Sequence, residues 1–264
     1  MPTVKLFAGL GNQLFQYAYG LWLRSRGEKV RFVLSRSRGS LRDVFEIGDP
    51  TILELRNPVA LAAVKAWARY VEGAYLVGFH QRREYAKVAR ESGRFEFRRG
   101  VAYARSRWDA AAKEDSSVSV HVRGGDYLTH GAAGVYGSVC GPDYYANAFA
   151  LIEERIADPK FLVLTDDPEH AARMLEGVGH DYRVVNDGEF EDDPGFDLHI
   201  LRTCRHHIIA NSTFSWWGAF LGSSSGGVTV CPDRWTDDGT VNLDDLVPDD
   251  WIRAPAGAVS ALLQ

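Results

Sequence analysis

The chain has 264 residues, is 45% hydrophobic and 25% charged, and carries a formal net charge of -5. That composition fits a soluble globular protein of one large or two small domains and excludes a low-complexity or disordered chain. Residues 1–8 are too short and polar for a secretory signal and no apolar run nears the ~18 residues that span a bilayer, while Cys140, Cys204 and Cys231 are too few and too scattered for a disulfide framework or a Cys-x-x-Cys zinc site.

In chain order, Val4-Lys5-Leu6-Phe7 reads as a first strand and Gly9-Leu10-Gly11 as a tight turn. From Asn12 a helix follows, with Phe15, Ala18, Tyr19 and Trp22 on one apolar face. The turn lacks the third small residue of a dinucleotide fingerprint, because Leu14 stands there, so an NAD site is not expected. What remains is a loop from which Asn12 and Gln13 project amides, or a helix capped by Asn12. Val30 to Leu34 is the next strand, 57–70 has a helical pattern, and Ala74 to Phe79 looks extended. Arg82 to Arg107 is Arg-rich and weakly periodic, and two lobes are expected to divide near its end, as 1–115 and 116–264.

Charge separates along the same line. Residues 1–115 hold 21 Lys and Arg against 12 Asp and Glu, and the remainder holds 9 against 23. The split fits two lobes attracting across a cleft, a basic lobe resting on an anionic membrane surface, or two solvated faces of drifted composition. Nucleic acid is not an expected partner, because the basic residues form no recognition motif.

Val118, Val120 and Val122 alternate with Ser119, His121 and Arg123, the pattern of a half-buried strand. His121 and Arg123 share a face at its C-terminal end, where open α/β sheets bind ligands, and Gly124-Gly125-Asp126-Tyr127 follow. Arg123 suits a diphosphate; a structural ion pair with Asp126 is the alternative. Pro142, Pro168 and Pro194 each open a helix, and Phe161 to Leu164 is a buried strand. Asp167 reads as an N-cap before Pro168, whereas Asp166 is free to meet a guanine edge or, with Asp167, a metal. His207 to Ala210 is a strand feeding Asn211-Ser212-Thr213-Phe214-Ser215-Trp216-Trp217, a strand-to-helix turn whose hydroxyls and first-turn N–H groups suit an anion. Trp216 and Trp217 read as core anchors. Val228 to Cys231 is a last strand and Pro255 to Leu263 a terminal helix that packs back on the first lobe. Alternating strands and helices imply a mainly parallel α/β architecture.

In this order the segments resemble glycosyltransferase family 11, the α-1,2-fucosyltransferases. The likeness is carried by Gly9-Leu10-Gly11-Asn12-Gln13-Leu14-Phe15-Gln16-Tyr17-Ala18, Gly78-Phe79-His80-Gln81, His121-Val122-Arg123-Gly124-Gly125-Asp126-Tyr127, Thr165-Asp166-Asp167, and Cys204 through Leu221. It implies a GT-B-like fold, two Rossmann-like lobes facing a central cleft. It also implies inverting transfer of L-fucose from GDP-fucose to the 2-hydroxyl of a galactoside in a glycan or oligosaccharide, without a metal cofactor.

By position, the resemblance gives Arg123 the diphosphate, assisted by Asn211, Ser212, Thr213, Phe214 and Ser215, and gives guanine to Asp166 or Asp167. Gly11, Asn12, Gln13, His80 and Gln81 would line the acceptor side, and Asp126 or His121 would take the acceptor proton. The family motif commonly carries a second Arg where Gly124 stands. A different nucleotide sugar, or a non-catalytic nucleotide-sugar- or glycan-binding protein, are the other readings. The expected location is the cytoplasm, at the inner face of the membrane.

Overall fold

In the computed structural model the described residues are 1–35, 39–55, 57–70, 74–124, 139–222 and 226–257. They form two compact units, Met1–Gly100 and Val101–Gln264. The sequence expectation put the division after residue 115. It falls earlier because residues 101–115 are anchored in the second unit: Tyr103 packs on Phe190 and Phe196, and the Trp108 indole donates to the Asn186 carbonyl at 2.9 Å.

The first unit runs β1 (Thr3–Leu6), α1 (Leu10–Ser25), β2 (Arg31–Ser35), α2 (Leu41–Val44), β3 (Ile52–Leu55), α3 (Pro58–Tyr70), β4 (Tyr75–Leu76) and α4 (Arg83–Glu91). Its sheet has the order β3-β2-β1-β4 with parallel pairings. The chain builds outward from β1 and then returns to add β4 on the other side. Helix α1 starts at Leu10, two residues before the expected Asn12, because the Gly9 carbonyl accepts from both Asn12 N and Gln13 N. Helix α4 lies in the Arg-rich stretch that looked only weakly periodic; its buried side is Tyr85, Ala86 and Ala89, a small stripe among arginines.

The second unit runs α5 (Gly100–Tyr103), α6 (Arg107–Ala112), β5 (Ser117–Val122), α7 (Pro142–Glu153), β6 (Lys160–Thr165), α8 (Pro168–Met174), β7 (Tyr182–Val184), α9 (Pro194–Thr203), β8 (His206–Ile208), α10 (Thr213–Gly222), β9 (Thr229–Pro232), α11 (Leu243–Leu246) and β10 (Ile252–Ala254). Its sheet has the order β10-β9-β8-β5-β6-β7, again with parallel pairings. This is the doubly wound order, and it reverses between β5 and β8. Val118, Val120 and Val122 pack with Phe161, Val163 and Ile208 against Tyr145, Ala148, Phe149 and Ile152 of α7.

β5 is buried along its whole length, not half-buried as its alternation implied. A central strand of a parallel sheet is covered on both faces, and Ser119 satisfies its hydroxyl against His207 Nδ1 of the neighbouring strand at 2.9 Å. Trp216 and Trp217 are fully buried; Trp216 stacks on Phe220 with centroids 4.6 Å apart, which supports the core reading. Strand β10 ends just before Pro255, and the expected terminal helix lies, from residue 258 on, outside the described residues.

Candidate active site

The expected diphosphate elements of the second unit meet at its strand-order reversal. Arg123 and Gly124 leave β5, Asp166 and Asp167 leave β6, and Asn211 to Thr213 join β8 to α10. Crevices beyond the carboxyl ends of strands at such a reversal are the usual ligand sites of open α/β sheets.

Arg123 Nη1 pairs with Asp166 Oδ2 at 2.7 Å, and the Gly124 N–H donates to Asp166 Oδ1 at 2.9 Å. Asp166 therefore holds Arg123 and Gly124 with both oxygens, while its carboxylate stays exposed and keeps acceptor capacity for a guanine edge. Asp167 is engaged as well: Oδ1 accepts from His170 N at 2.9 Å as the N-cap of α8, ahead of Pro168. Gly124 is required by this packing, since a Cβ there would lie 2.7 Å from Asp167 Cβ.

The hydroxyls at α10 divide. Ser212 Oγ accepts from Phe214 N at 3.3 Å, closing the helix start, and Thr213 and Phe214 are half-buried beside it. Ser215 departs from expectation: it is fully buried, and its hydroxyl faces the Ser212 carbonyl at 3.2 Å and the Ala210 carbonyl at 3.5 Å. Asn211 is buried, donating Nδ2 to the Trp235 carbonyl at 3.0 Å, so it shapes the turn. The N-terminal end of α10, where the helix dipole is positive, is the part of this turn whose physics suits an anion.

His121 lies under this opening, its ring 5.8 Å from that of Phe214, with Nδ1 buried and without a hydrogen-bond partner among the described residues. Burial, reinforced by the Arg123 charge, lowers its pKa to about 3. It is a neutral imidazole near pH 7 and a weak proton acceptor. Asp126, the other expected base, lies outside the described residues with Gly125 and Tyr127.

One group was missed in the sequence. Asp197, in the first turn of α9, is half-buried, with its carboxyl raised to about 7 by burial and by the charges of Asp193, Asp166 and Asp192. An acid set among Phe196, Leu198, Ile200 and Leu201 was the available signal. Its neighbour Asp193 is a cap, accepting from Gly195 N at 2.9 Å and from the Tyr103 hydroxyl at 3.0 Å. Among the described residues no group of three or more His, Cys, Asp or Glu is arranged to hold a metal ion.

The first unit's expected residues sit at its own reversal, between the ends of β1 and β4. Gly11, Asn12 and Gln13 belong to the first turn of α1, not to a loop. Gln13 is buried, donating to the Ala8 carbonyl at 2.8 Å and accepting from Leu41 N at 3.0 Å, so it ties the turn to α2 and lines no surface. Asn12 accepts from Gln81 Nε2 at 2.9 Å, which joins the first turn of α1 to the segment after β4. His80 has φ 51° and stacks on Tyr19 with centroids 4.0 Å apart. Ala8 also has positive φ, at 62°; two non-glycine residues held left-handed mark a locally strained rim.

The family model for glycosyl transferase family 11 matches residues 69–254. An alpha-1,2-colitosyltransferase of Escherichia coli is 26% identical, over 95% of this chain and 98% of its own length. The Escherichia coli O-antigen biosynthesis glycosyltransferase WbnK is 34% identical over 52% of this chain, and the match spans 44% of it. The mouse galactoside 2-alpha-L-fucosyltransferase Sec1 is 26% identical over 87% of this chain, which covers 66% of that protein. The fold matches a solved Arabidopsis thaliana FUT1 mutant in complex with GDP, with a TM-score of 0.53 and 13% identity over 92% of this chain and 72% of that one.

Proposed function

The chain belongs to glycosyl transferase family 11, and we propose that it moves L-fucose from GDP-fucose to the 2-hydroxyl of a galactoside with inversion. The observation that carries this reading is the convergence of the Arg123 loop and the α10 N-terminus at the strand-order reversal. As the bond from the sugar to GDP breaks, negative charge grows on the diphosphate while the sugar becomes oxocarbenium-like. A guanidinium and a helix mouth that are already in place stabilise that charge without reorganising, and one such donor is worth about 3–4 kcal/mol when removed. They supply what a divalent ion supplies elsewhere, so turnover in excess EDTA should equal turnover without it.

Beside Asp166 and Asp167, Asp197 is assigned to the guanine edge as a further acceptor; its side chain makes no hydrogen bond among the described residues. Ionised, it accepts from the two N–H donors of that edge. Proton transfer from the acceptor stays with Asp126 or His121, and the lowered pKa of His121 makes it a weak base in this surrounding.

A second reading concerns the donor sugar, because the relative matched over nearly its full length is a colitosyltransferase. GDP release would be measured with GDP-fucose and GDP-colitose against a set of galactosides. Release only with GDP-colitose would replace the fucose assignment. GDP binding without release from any sugar would make the protein a binder.

A further inference from the structure

Helix α3 carries apolar side chains on two faces and covers only one of them. Leu61, Val64 and Ala68, spaced i, i+3 and i+7, turn inward, and Ala68 is its one buried residue. Val59, Ala63, Ala66, Trp67 and Tyr70, spaced i, i+4, i+7, i+8 and i+11, form a second stripe that is exposed throughout. Val59 is 73%, Tyr70 82% and Trp67 39% exposed. A helix apolar on both sides is normally buried on both.

The helix itself carries charge of one sign. The only ionisable groups of the helix besides Tyr70 are Lys65 and Arg69, one turn apart on the flank between its two apolar faces, and there is no acid. Arg31 of β2 lays its guanidinium 4.5 Å over the Trp67 ring. Residues 1–100 carry 18 Lys and Arg against 9 Asp and Glu, a net of +9, while residues 101–264 carry 12 against 26. The polar and aromatic parts therefore match an interface, with Trp and Tyr where a bilayer's headgroups meet its acyl chains and cations beside them. No helix among the described residues is long and apolar enough to cross a membrane.

We propose that the outer face of α3 is a docking surface for an anionic lipid bilayer, on which the first unit rests with Val59, Trp67 and Tyr70 inserted and Lys65, Arg69 and Arg31 over the headgroups. This surface does not rest on the donor assignment. It gives the basic half of the chain a physical partner and sets the first unit beside any acceptor that is itself held in a membrane.

The test is flotation of the full chain with phosphatidylglycerol–phosphatidylcholine vesicles and with pure phosphatidylcholine vesicles. Binding should be at least about tenfold stronger to the anionic vesicles and should fall with added salt. Tyr70→Glu, and separately Val59→Glu, should each lower it about tenfold or more while leaving the thermal midpoint unchanged, since both positions face outward. Lys65→Glu with Arg69→Glu should lower it by a similar factor. Absent or equal binding to the two vesicle types, or retention by Tyr70→Glu and Val59→Glu at the level of the unmodified chain, would overturn the proposal. So would a dimer in sedimentation velocity that Tyr70→Glu dissociates, because the stripe would then belong to a second copy of the chain.

Discussion

Replacing Gly124 with Ala, and separately with Arg, probes how the Arg123 loop is held. A Cβ at 124 would stand 2.7 Å from Asp167 Cβ, against about 3.5–4.0 Å for a comfortable carbon contact, so the loop must retreat by roughly 1 Å. Neither partner can yield cheaply: Asp167 caps α8, and the Gly124 N–H is held by Asp166. Overpacking of this kind costs about 1–3 kcal/mol. For a protein of this size that lowers the melting midpoint by roughly 2–12 °C. The same retreat moves Arg123, and a misplacement of about 1 Å can cost a factor of about 100 in rate. Differential scanning calorimetry and initial rates of GDP release on both variants would measure the two effects. Gly124→Arg adds the cation that the family motif commonly has here, and it should still lose stability and rate. If it melts with the parent and turns over as fast or faster, the packing argument at residue 124 is wrong.

Arg123→Ala should reduce kcat by about 100- to 1000-fold with a small change in melting midpoint, because its ion pair is about a third exposed and worth at most about 1 kcal/mol; an unchanged kcat would remove Arg123 from the chemistry. Gln13→Ala should destabilise the first unit by about 1–3 kcal/mol in urea unfolding, since it strips partners from the Ala8 carbonyl and the Leu41 N–H; parent-like unfolding would show that this bridge is dispensable. Asp197 titrates higher folded than unfolded, so its stabilising proton is fully present below the ordinary aspartate value of 3.8 and lost as pH rises through about 7. Asp197→Asn should therefore melt higher than the parent at pH 8 and nearly with it at pH 4. It should also bind GDP more weakly at pH 8, while parent binding weakens as pH falls below about 7; coincident melting and binding curves would discard both expectations.

The parts of the fold written in local chemistry were legible. Asp167-Pro168 and Asp193-Pro194 mark helix starts through an acceptor side chain and a residue that needs no N–H, and both helices begin there. The alternating valines of β5 gave a strand, but Ser119 and His121 suggested an exposed face. What buries them is the position of β5 between β6 and β8, set by residues about 40 and 90 positions away. Gln13 was misplaced for the same reason: its acceptor role depends on Leu41 N, 28 residues along. Arg123 and Asp166 were both visible as candidates, yet only folding shows that they pair with each other. Three-residue strands such as β7 and β10 are too short to carry a period.

Helices α9 and α10 meet almost backbone to backbone, since a Cβ at Gly222 would fall 2.3 Å from the Arg202 carbonyl oxygen and one at Gly218 would fall 2.5 Å from Leu201 Cβ. Asp197 rides on the first of these helices, and the N-terminal end proposed to hold the diphosphate belongs to the second. The two helices are thus held at one spacing by main chain that cannot compress, and that spacing acts as a ruler. Whatever molecule bridges the two must match that length, so selection by size would be built into the scaffold and selection by sugar left to the loops around it.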